Sequence, residues 1–256
     1  MIPKKIHYFW FSDEPFPKLV QDCIKSWQKV LEGYEFHRWD LKNTPMDCPF
    51  AVRALRDKKW AFLTDYARMR VIAEHGGIYL DTDVFVLKNF NELLHYDSFW
   101  GRADNALVEP VVFGAIPNNA LVCQALKNYQ EYPDDKAYQE IPLVLKSGFS
   151  TFGFDLEHDL VAEIENNLLL SSEYFCPMPF QRADDNNPLS FATPKTMAIH
   201  LWNAAWFDPF RFFWNGRKKA GWIAVWRSVK ANPFQGYEFY KNVAYHLKCG
   251  IFGYPS

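Results

Sequence analysis

The segment from Ala61 to Leu87, AFLTDYARMRVIAEHGGIYLDTDVFVL, constrains the fold of this 256-residue chain more than any other segment. It begins with a short helix-like stretch in which Asp65 and Arg68 lie three residues apart, so their side chains share one face. Gly76-Gly77 follows, and glycine is the residue that most readily adopts the left-handed conformation that ends helices. An apolar run and a D-x-D triplet come next. The order predicts a helix, a turn and a buried strand with carboxylates at its end.

The strand-like run, Ile78 to Leu80, is followed at once by Asp81 and Asp83. Alternate side chains of an extended segment share a face, so we expect the two carboxylates to converge. Hard oxygen ligands of this kind suit Mg²⁺ or Mn²⁺, and open α/β sheets bind ligands at the carboxyl ends of their strands. The triplet alone carries no information, because a chain with 17 aspartates contains about one by chance. Its meaning comes from the helix, glycine pair and strand before it.

Strand-like and helix-like segments alternate through most of the chain, which predicts an α/β fold with a mostly parallel twisted sheet flanked by helices. Residues 132–187 give mixed signals, with a helix-like pattern at 155–168. We expect a main domain over 1–207 and a basic, aromatic C-terminal segment over 208–256 packed on it. The other expected strands are 5–11, 34–39, 99–102, 107–115 and 197–201, and the other expected helices are 19–31, 50–59 and 119–129.

Composition and charge exclude several classes of protein. The chain has 49% hydrophobic and 23% charged residues, as ordinary globular proteins do, and its formal charge of −2 gives no reason to expect a nucleic-acid partner. Five scattered cysteines without a C-x-x-C pair predict neither disulfides nor a zinc site. The N-terminus lacks the pattern of a signal peptide, and no apolar run is long enough to cross a bilayer. We therefore expect a cytoplasmic protein.

The array T-D-Y-A-R…G-G-I-Y-L-D-T-D-V resembles the sugar-nucleotide signature of glycosyltransferase family 32. That family includes capsular-polysaccharide transferases and fungal mannosyltransferases, and the large bacterial glucosylating toxins carry a related array. The opening IPKKIHYFWF resembles the family's first strand, and SWQKVLEGYEFHRWD resembles its second helix and strand. The resemblance runs from Ile2 to Asn89 and returns near His200. It implies a GT-A-type fold, with 1–207 as the catalytic domain of a metal-dependent glycosyltransferase.

The resemblance implies roles for the residues of the motif. Asp83 is expected to ligate Mn²⁺ or Mg²⁺ directly, and Asp81 to reach the metal through water or to bind the ribose. Asp65 is expected to accept hydrogen bonds from the donor sugar. The forked guanidinium of Arg68 suits a phosphate or a sugar hydroxyl; the alternative is an ion pair with Asp65 on a helix surface. Tyr79 is expected to contact the donor or to belong to the core.

Aromatic residues and one histidine complete the expected site. Phe9 and Trp10 end the first strand, where an aromatic ring can stack on the nucleotide base. In family 32 a late His or Asn closes the metal shell and a following Trp covers the phosphates, so the resemblance favours His200 as a metal ligand and Trp206 as the lid. A lone histidine such as His200 is also consistent with a structural role. Glu109 replaces a polar segment of the family and is a candidate to face the anomeric carbon or the acceptor.

The resemblance implies transfer of a hexose or N-acetylhexosamine from a nucleotide-diphosphate sugar to a saccharide acceptor, with retention, in bacterial surface-polysaccharide synthesis. Two alternatives stay open. A haloacid dehalogenase-type phosphohydrolase would use Asp81 as its nucleophile, although the sequence lacks that class's G-D-x-x-x-D motif. A non-catalytic carbohydrate- or lipid-binding module would use the aromatic residues, which make up 18% of the chain.

Residues 208–256 combine charge with aromatic character. They contain eight basic and two acidic residues, so their formal charge is +6. Large rings beside cations are typical of surfaces that lie at a membrane interface. We therefore expect peripheral contact with anionic lipid at the inner face of the plasma membrane, and a lipid-linked acceptor. The alternative is that the rings close the core while the charges lie in solvent.

Overall fold

The computed structural model describes residues 1–103, 106–183, 185, 187–203, 210–214, 216–231 and 236–252. The chain divides into two units, Met1–Pro179 with Pro188–Leu201 and Phe180–Asn187 with Trp202–Ser256. The predicted domain boundary between 207 and 208 lies outside the described residues and stays a prediction. The strands are β1 (Lys5–Phe9), β2 (Glu35–Trp39), β3 (Gly77–Leu80), β4 (Val84–Val86), β5 (Ser98–Arg102), β6 (Val108–Ala115), β7 (Ala162–Ile164), β8 (Asn167–Leu170) and β9 (Ala198–His200). The helices are α1 (Lys18–Val30), α2 (Pro49–Arg56), α3 (Trp60–His75), α4 (Ala120–Gln130), α5 (Ile141–Thr151), α6 (Ser172–Phe175), α7 (Arg211–Trp214), α8 (Lys218–Ala231) and α9 (Tyr237–Phe252).

Seven of the described strands form one sheet in the order β2-β1-β3-β6-β5-β8-β7. β2, β1 and β3 are parallel to one another, β5 is parallel to β8, and β6 and β7 run in the opposite direction. Five of these seven strands therefore share one direction, and the predicted α/β fold with a mostly parallel sheet is confirmed. The carboxyl ends of β1 and β3 and the start of β6 meet at one edge of this sheet.

The central helix of the first unit is α3, which packs against β1, β3 and β6 and against α2 and α4. Apolar residues on all its sides are buried, among them Leu63, Met69 and Ile72. A helix covered all round carries no amphipathic stripe. Its two buried charged residues, Asp65 and Arg68, are therefore the exception that requires explanation, because burying a charge is costly unless it is paired.

Gly76 and Gly77 join α3 to β3 at positions that only glycine fits. Their φ angles are +60° and +105°. A Cβ atom on Gly76 would lie 2.7 Å from Cδ of Pro117, and one on Gly77 would lie 2.8 Å from the carbonyl oxygen of Lys5. A larger residue would strain the backbone and displace these neighbours. The glycine pair therefore fixes how closely β3 approaches β1.

His7, on β1, lies against this turn and has both ring nitrogens occupied. Nδ1 accepts a hydrogen bond from Nε1 of Trp39 at 3.1 Å, so the proton is on Nε2, which donates to the carbonyl oxygen of Gly76 at 3.0 Å. Burial is the largest cause that lowers the pKa of His7, and with the neighbouring His37 and His75 it brings this pKa to about 3. The imidazole is consequently neutral in the folded protein over the ordinary pH range.

The helix expected over 155–168 is wrong, because β7 and β8 form a hairpin there. Its two-residue turn, Glu165-Asn166, has φ angles of +48° and +60°. Positive φ at both central positions is typical of the tight turns whose twist matches that of the flanking strands. The preceding helix α5, which packs against β6 and α4, was not predicted.

β4 and β9 form a second, two-stranded antiparallel sheet in the first unit. α1 holds this sheet in place: Nε1 of Trp27 donates to the carbonyl oxygen of Val84 at 2.7 Å, and Oγ of Ser26 accepts from the N–H of Val86 at 2.9 Å. Val84 pairs with His200 across the two strands. The pairing therefore brings His200 beside Asp83, the residue that precedes β4.

The second unit has a small apolar core of its own, formed by Phe210, Phe213 and Val225. Arg217 is also buried there, and its Nη1 donates to the carbonyl oxygen of Trp202 at 2.8 Å. Some aromatic residues and one cation of the C-terminal segment are thus structural. Among the described residues, no helix combines the length and the apolar character that crossing a bilayer requires.

Replacing His7 by Gln tests this account of the buried imidazole. With a folded pKa of about 3, His7 destabilises the protein as pH falls below the unfolded value of about 6.5, because the unfolded chain then gains a proton that the folded chain does not. Between pH 7 and pH 4 the wild type should lose roughly 3 kcal/mol more unfolding free energy than His7→Gln, whose amide keeps an acceptor and a donor. Urea unfolding at both pH values measures this difference. Equal losses in the two proteins would contradict it.

Candidate functional site

Arg68 is the centre of a buried polar group between α3 and the strand ends, and it is 6% exposed. Its Nη2 lies 2.9 Å from Oδ1 of Asp65 and 3.5 Å from Oδ1 of Asp81. Its Nη1 donates to the carbonyl oxygen of Pro110 at 3.0 Å, and the guanidinium lies 4.4 Å from the ring centroid of Tyr79. Arg68 thereby joins α3, the end of β3 and the start of β6.

Asp65 and Arg68 form the i,i+3 ion pair of the alternative interpretation, but that pair does not lie on a helix surface, since both residues are buried. Tyr79 is 2% exposed and belongs to the core, yet its hydroxyl donates to Oδ1 of Asp81. The Asp81 carboxylate is therefore held from two sides, by the Tyr79 phenol and by the Arg68 guanidinium. Such fixed partners orient a carboxylate before any ligand arrives.

Asp81 and Asp83 approach each other through a turn rather than along an extended strand. The N–H of Val84 donates to the carbonyl oxygen of Asp81 at 3.1 Å, which closes a turn over 81–84. The N–H of Leu201 donates to the carbonyl oxygen of Asp83 at 3.0 Å, so the end of β9 is tied to the same turn. The two carboxylates converge as predicted, but by a different backbone conformation from the one expected.

Asp81, Asp83 and His200 each place one ligand atom within 4.8 Å of the other two. Nε2 of His200 lies 3.4 Å from Oδ2 of Asp83, and His200 is 7% exposed. Two carboxylate oxygens and one imidazole nitrogen form a donor set suited to a divalent metal ion such as Mn²⁺. These three residues could therefore hold such an ion.

The charges of the site favour a bound cation. Burial raises the pKa of Asp65 and of Glu109 to about 7, and burial also raises the pKa of Asp81. Burial lowers the pKa of His200, but Asp83 and the other carboxylates outweigh it, so this pKa lies above its ordinary value. Carboxylates thus outnumber cations by two when all are ionised, and a divalent ion would supply the missing charge. The four carboxylates belong to Asp65, Asp81, Asp83 and Glu109, and the cations are Arg68 and protonated His200.

Glu109 lies inside this group, a position that no local motif indicated. It is half-buried near the start of β6, and its carboxyl interacts electrostatically with His200, Asp81 and Arg68. The sequence analysis named Glu109 as a candidate, and the topology explains its position: β6 runs antiparallel to β3, so the first residues of β6 reach the same edge as Asp81. The site therefore has a fourth carboxylate on the β6 side.

The two described aromatic residues that were expected to bind the nucleotide base pack against other aromatic rings. Phe9 is buried and packs against Trp39. Trp10 is half-buried, with its ring against that of Phe16. Trp206, the expected lid, lies outside the described residues. Their roles in donor binding stay predictions.

Comparison with known proteins finds a family whose model is similar to part of this site. Residues 17–100 match the family described as "Glycosyltransferase sugar-binding region containing DXD motif". The matched segment includes the Asp/Arg helix and the D-x-D triplet, and it ends before Glu109 and His200. The match therefore covers the α3 and β3 side of the site.

Similar curated proteins include an uncharacterized glycosyltransferase of Acanthamoeba polyphaga mimivirus, 28% identical over 140 residues that are 50% of this chain and 55% of that protein. Inositol phosphoceramide mannosyltransferase 3 of Schizosaccharomyces pombe is 24% identical over 57% of this chain and 42% of its own length. Alpha-1,4-N-acetylglucosaminyltransferase of Homo sapiens is 22% identical over 46% of this chain and 35% of its own length. The chain thus spans about half or less of the length of these relatives.

Similar solved structures include PaToxG Glycosyltransferase, with a TM-score of 0.46 and 16% identity over 59% of this chain and 68% of that chain. Another is a glycosyltransferase involved in the glycosylation of the major capsid of PBCV-1, with a TM-score of 0.43 and 9% identity over 86% of this chain and 98% of that chain.

Calorimetric titration with MnCl₂ tests the three-residue ligand set. The wild type should bind Mn²⁺, and Asp83→Asn and His200→Ala should each bind it at least about tenfold more weakly, because each removes a ligand. Asp159→Asn is the control, since Asp159 accepts hydrogen bonds from Ser172 outside this site. If His200→Ala lowers only thermal stability and leaves Mn²⁺ affinity unchanged, His200 is a structural residue and the assignment is wrong.

Proposed function

We propose that this chain is a metal-dependent glycosyltransferase, because residues 17–100 match the DXD-containing sugar-binding region of glycosyltransferases, in agreement with the resemblance to family 32. It transfers a sugar from a nucleotide-diphosphate donor to a saccharide acceptor. The observation that carries this proposal is the meeting of Asp81, Asp83 and His200 beside the buried Arg68. We favour Mn²⁺ over Mg²⁺, because an imidazole belongs to the donor set.

The chemistry requires stabilisation of the leaving group, because negative charge builds on the diphosphate as the glycosidic bond breaks. A divalent ion bound by the three ligands would supply positive charge there. Arg68 is fixed by Asp65, Asp81 and the carbonyl oxygen of Pro110, so its charge needs little reorganisation during the reaction. Arg68 is accordingly assigned to a phosphate oxygen or a sugar hydroxyl of the donor.

Two carboxylates, those of Asp65 and Glu109, are assigned to the donor sugar and to the acceptor. Asp65 pairs with Arg68 through Oδ1, and its other oxygen is assigned to a hydroxyl of the donor sugar. Glu109, on the β6 side of the site, is assigned to the attacking hydroxyl of the acceptor, which it would orient as a hydrogen-bond acceptor. We propose retention of configuration, with the departing phosphate taking the acceptor's proton, as the family resemblance implies.

The names of two relatives support more specific proposals for the donor sugar and the acceptor. One relative is a mannosyltransferase and another an N-acetylglucosaminyltransferase, which supports a hexose or N-acetylhexosamine donor. The first of these is named for inositol phosphoceramide, a lipid, and we propose a lipid-linked saccharide acceptor. Synthesis of a bacterial surface polysaccharide at the cytoplasmic face of the plasma membrane fits such an acceptor.

The two alternative functions receive less support. A phosphohydrolase would need Asp81 as a free nucleophile, but its Oδ1 is held by the Tyr79 hydroxyl and faces Arg68. A non-catalytic binding module would leave the convergence of the buried charged residues unexplained.

A panel of sugar nucleotides with Mn²⁺, scored by thermal shift and by slow donor hydrolysis, should identify a stabilising donor. With that donor, Asp83→Asn should lower turnover by at least about 100-fold while its circular dichroism stays that of the wild type, because a main electrostatic stabiliser is lost. Stabilisation by no sugar nucleotide, or unchanged turnover of Asp83→Asn at saturating Mn²⁺, would contradict the proposal.

Two further variants serve as comparisons in the same assay. Asp159→Asn should hydrolyse the donor as the wild type does, because the Asp159 carboxylate accepts a hydrogen bond from Ser172 and does not belong to the metal and donor site. Glu109→Gln should be stabilised by the donor with Mn²⁺ as the wild type is, because Glu109 is assigned to the acceptor. If Glu109→Gln instead loses donor binding, its assignment to the acceptor is wrong.

A further inference from the structure

One face of α8 is exposed and is not used by the core of the second unit. Lys219, Ile223, Trp226 and Lys230 follow one another at spacings of four, three and four residues, so they lie along one face of the helix. Trp226 is 62% exposed and Ile223 is 42% exposed. Arg227 borders this face and is exposed as well. We call these five residues the α8 stripe.

The cations of the α8 stripe are not neutralised within the described part of the chain. α8 contains no Asp or Glu, and neither Lys219 nor Arg227 forms an ion pair with a described residue. The ammonium group of Lys230 lies 5.1 Å from the ring centroid of Trp226. In contrast, Lys241 of α9 pairs with Glu238. The α8 stripe therefore combines uncompensated positive charge with exposed apolar surface.

We propose that the α8 stripe docks on an anionic lipid surface. Trp226 and Ile223 lie at the headgroup boundary, and the three cations contact the negatively charged groups of the lipids. α8 has 14 residues, about 21 Å at 1.5 Å per residue, so it lies along the interface and does not cross the bilayer. The docking needs no residue of the metal and donor site, and it stands independently of the proposed transferase activity.

The composition of the α8 stripe favours lipid over a protein partner. A second copy of the chain in a symmetric contact would bring its own Lys219, Arg227 and Lys230 to the same interface, and like charges repel. Lysine is also depleted in protein–protein interfaces. A Trp and an Ile flanked by Lys and Arg are instead typical of helices that lie in a membrane interface.

Only some of the aromatic and basic side chains of residues 208–256 are therefore candidates for docking on lipid. Phe210, Phe213 and Arg217 are buried and excluded from docking, although they belong to the same aromatic and basic segment. The exposed face of α8 retains both components that interfacial binding requires. Neutralising Arg217 would therefore test the fold rather than membrane contact.

Vesicle co-sedimentation of the full chain tests the proposal. The wild type should bind phosphatidylcholine vesicles containing phosphatidylglycerol, release them as NaCl rises, and bind pure phosphatidylcholine poorly. Lys219→Gln with Lys230→Gln should bind the anionic vesicles roughly 30-fold more weakly, roughly fivefold per cation. The matched control is Lys25→Gln with Lys29→Gln, two exposed lysines of α1, which should bind as the wild type. Trp226→Ala should weaken binding to anionic vesicles as well.

Three results would overturn the docking proposal. The first is equal binding to anionic and neutral vesicles, and the second is an equal loss of vesicle binding in the α8 and α1 double variants. The third is self-association in sedimentation velocity that Trp226→Ala abolishes, because a second copy of the chain would then be the occupant of the α8 stripe. Mn²⁺-dependent thermal stabilisation by the donor, measured in the same variants, should not change. Loss of docking with intact donor binding, or the reverse, therefore separates failure of this inference from failure of the proposed function.

Discussion

The buried guanidinium of Arg68 is the interaction on which the organisation of the site depends. It pairs with Asp65 on its own helix and with Asp81 after β3, and it binds the backbone of β6 at Pro110. Removing one partner of such a buried pair costs about 3–5 kcal/mol, because the remaining charge is left uncompensated. The close turn at Gly76-Gly77 serves the same arrangement, since it brings β3 directly back alongside α3. A single cation thus joins three elements whose ends carry the charged residues of the candidate site.

Much of the fold follows from local patterns in the sequence. The spacing of apolar residues in α1, the alternation of strands and helices, and the Asp/Arg helix followed by two glycines all lead to the observed elements and to the observed edge of the sheet. What local patterns do not reveal is pairing between distant segments. β4 and β9 pair Val84 with His200 across more than 100 residues, and no local periodicity encodes that register. His200 could therefore be proposed only from the family resemblance.

Physical reasons explain why the sequence did not predict α5 or the hairpin of β7 and β8. α5 contains Pro142, Gly148 and several β-branched or hydroxyl residues, which have low helix propensity; its packing against β6 and α4 supplies the stability instead. The 155–168 segment has helical spacing of apolar residues, but Glu165 and Asn166 adopt positive φ and form a hairpin turn. Glu109 was a candidate from the sequence without a local motif to support it, and the antiparallel pairing of β6 with β3 explains how it reaches the site.

Uncompensated charge is the common feature of the two surfaces to which ligands are assigned. In the first unit, carboxylates exceed cations around His200 and Arg68 when all are ionised. Burial raises the pKa values of Asp65 and Glu109 to about 7, and the nearby cations oppose this rise. In the second unit, the exposed cations of the α8 stripe have no acidic neighbours on their helix. A divalent cation is the partner that suits the first surface, and anionic lipid is the partner that suits the second.

The central claim is that Asp81, Asp83 and His200 hold a metal ion that contacts the donor's diphosphate. Electron–nuclear double resonance of Mn²⁺ bound to the protein with a nucleoside diphosphate tests it most directly, because it detects nuclei close to the ion. The account predicts a ³¹P coupling from the diphosphate and a ¹⁴N coupling that disappears in His200→Ala. A spectrum of fully hydrated Mn²⁺, with neither coupling in the wild type, would contradict it.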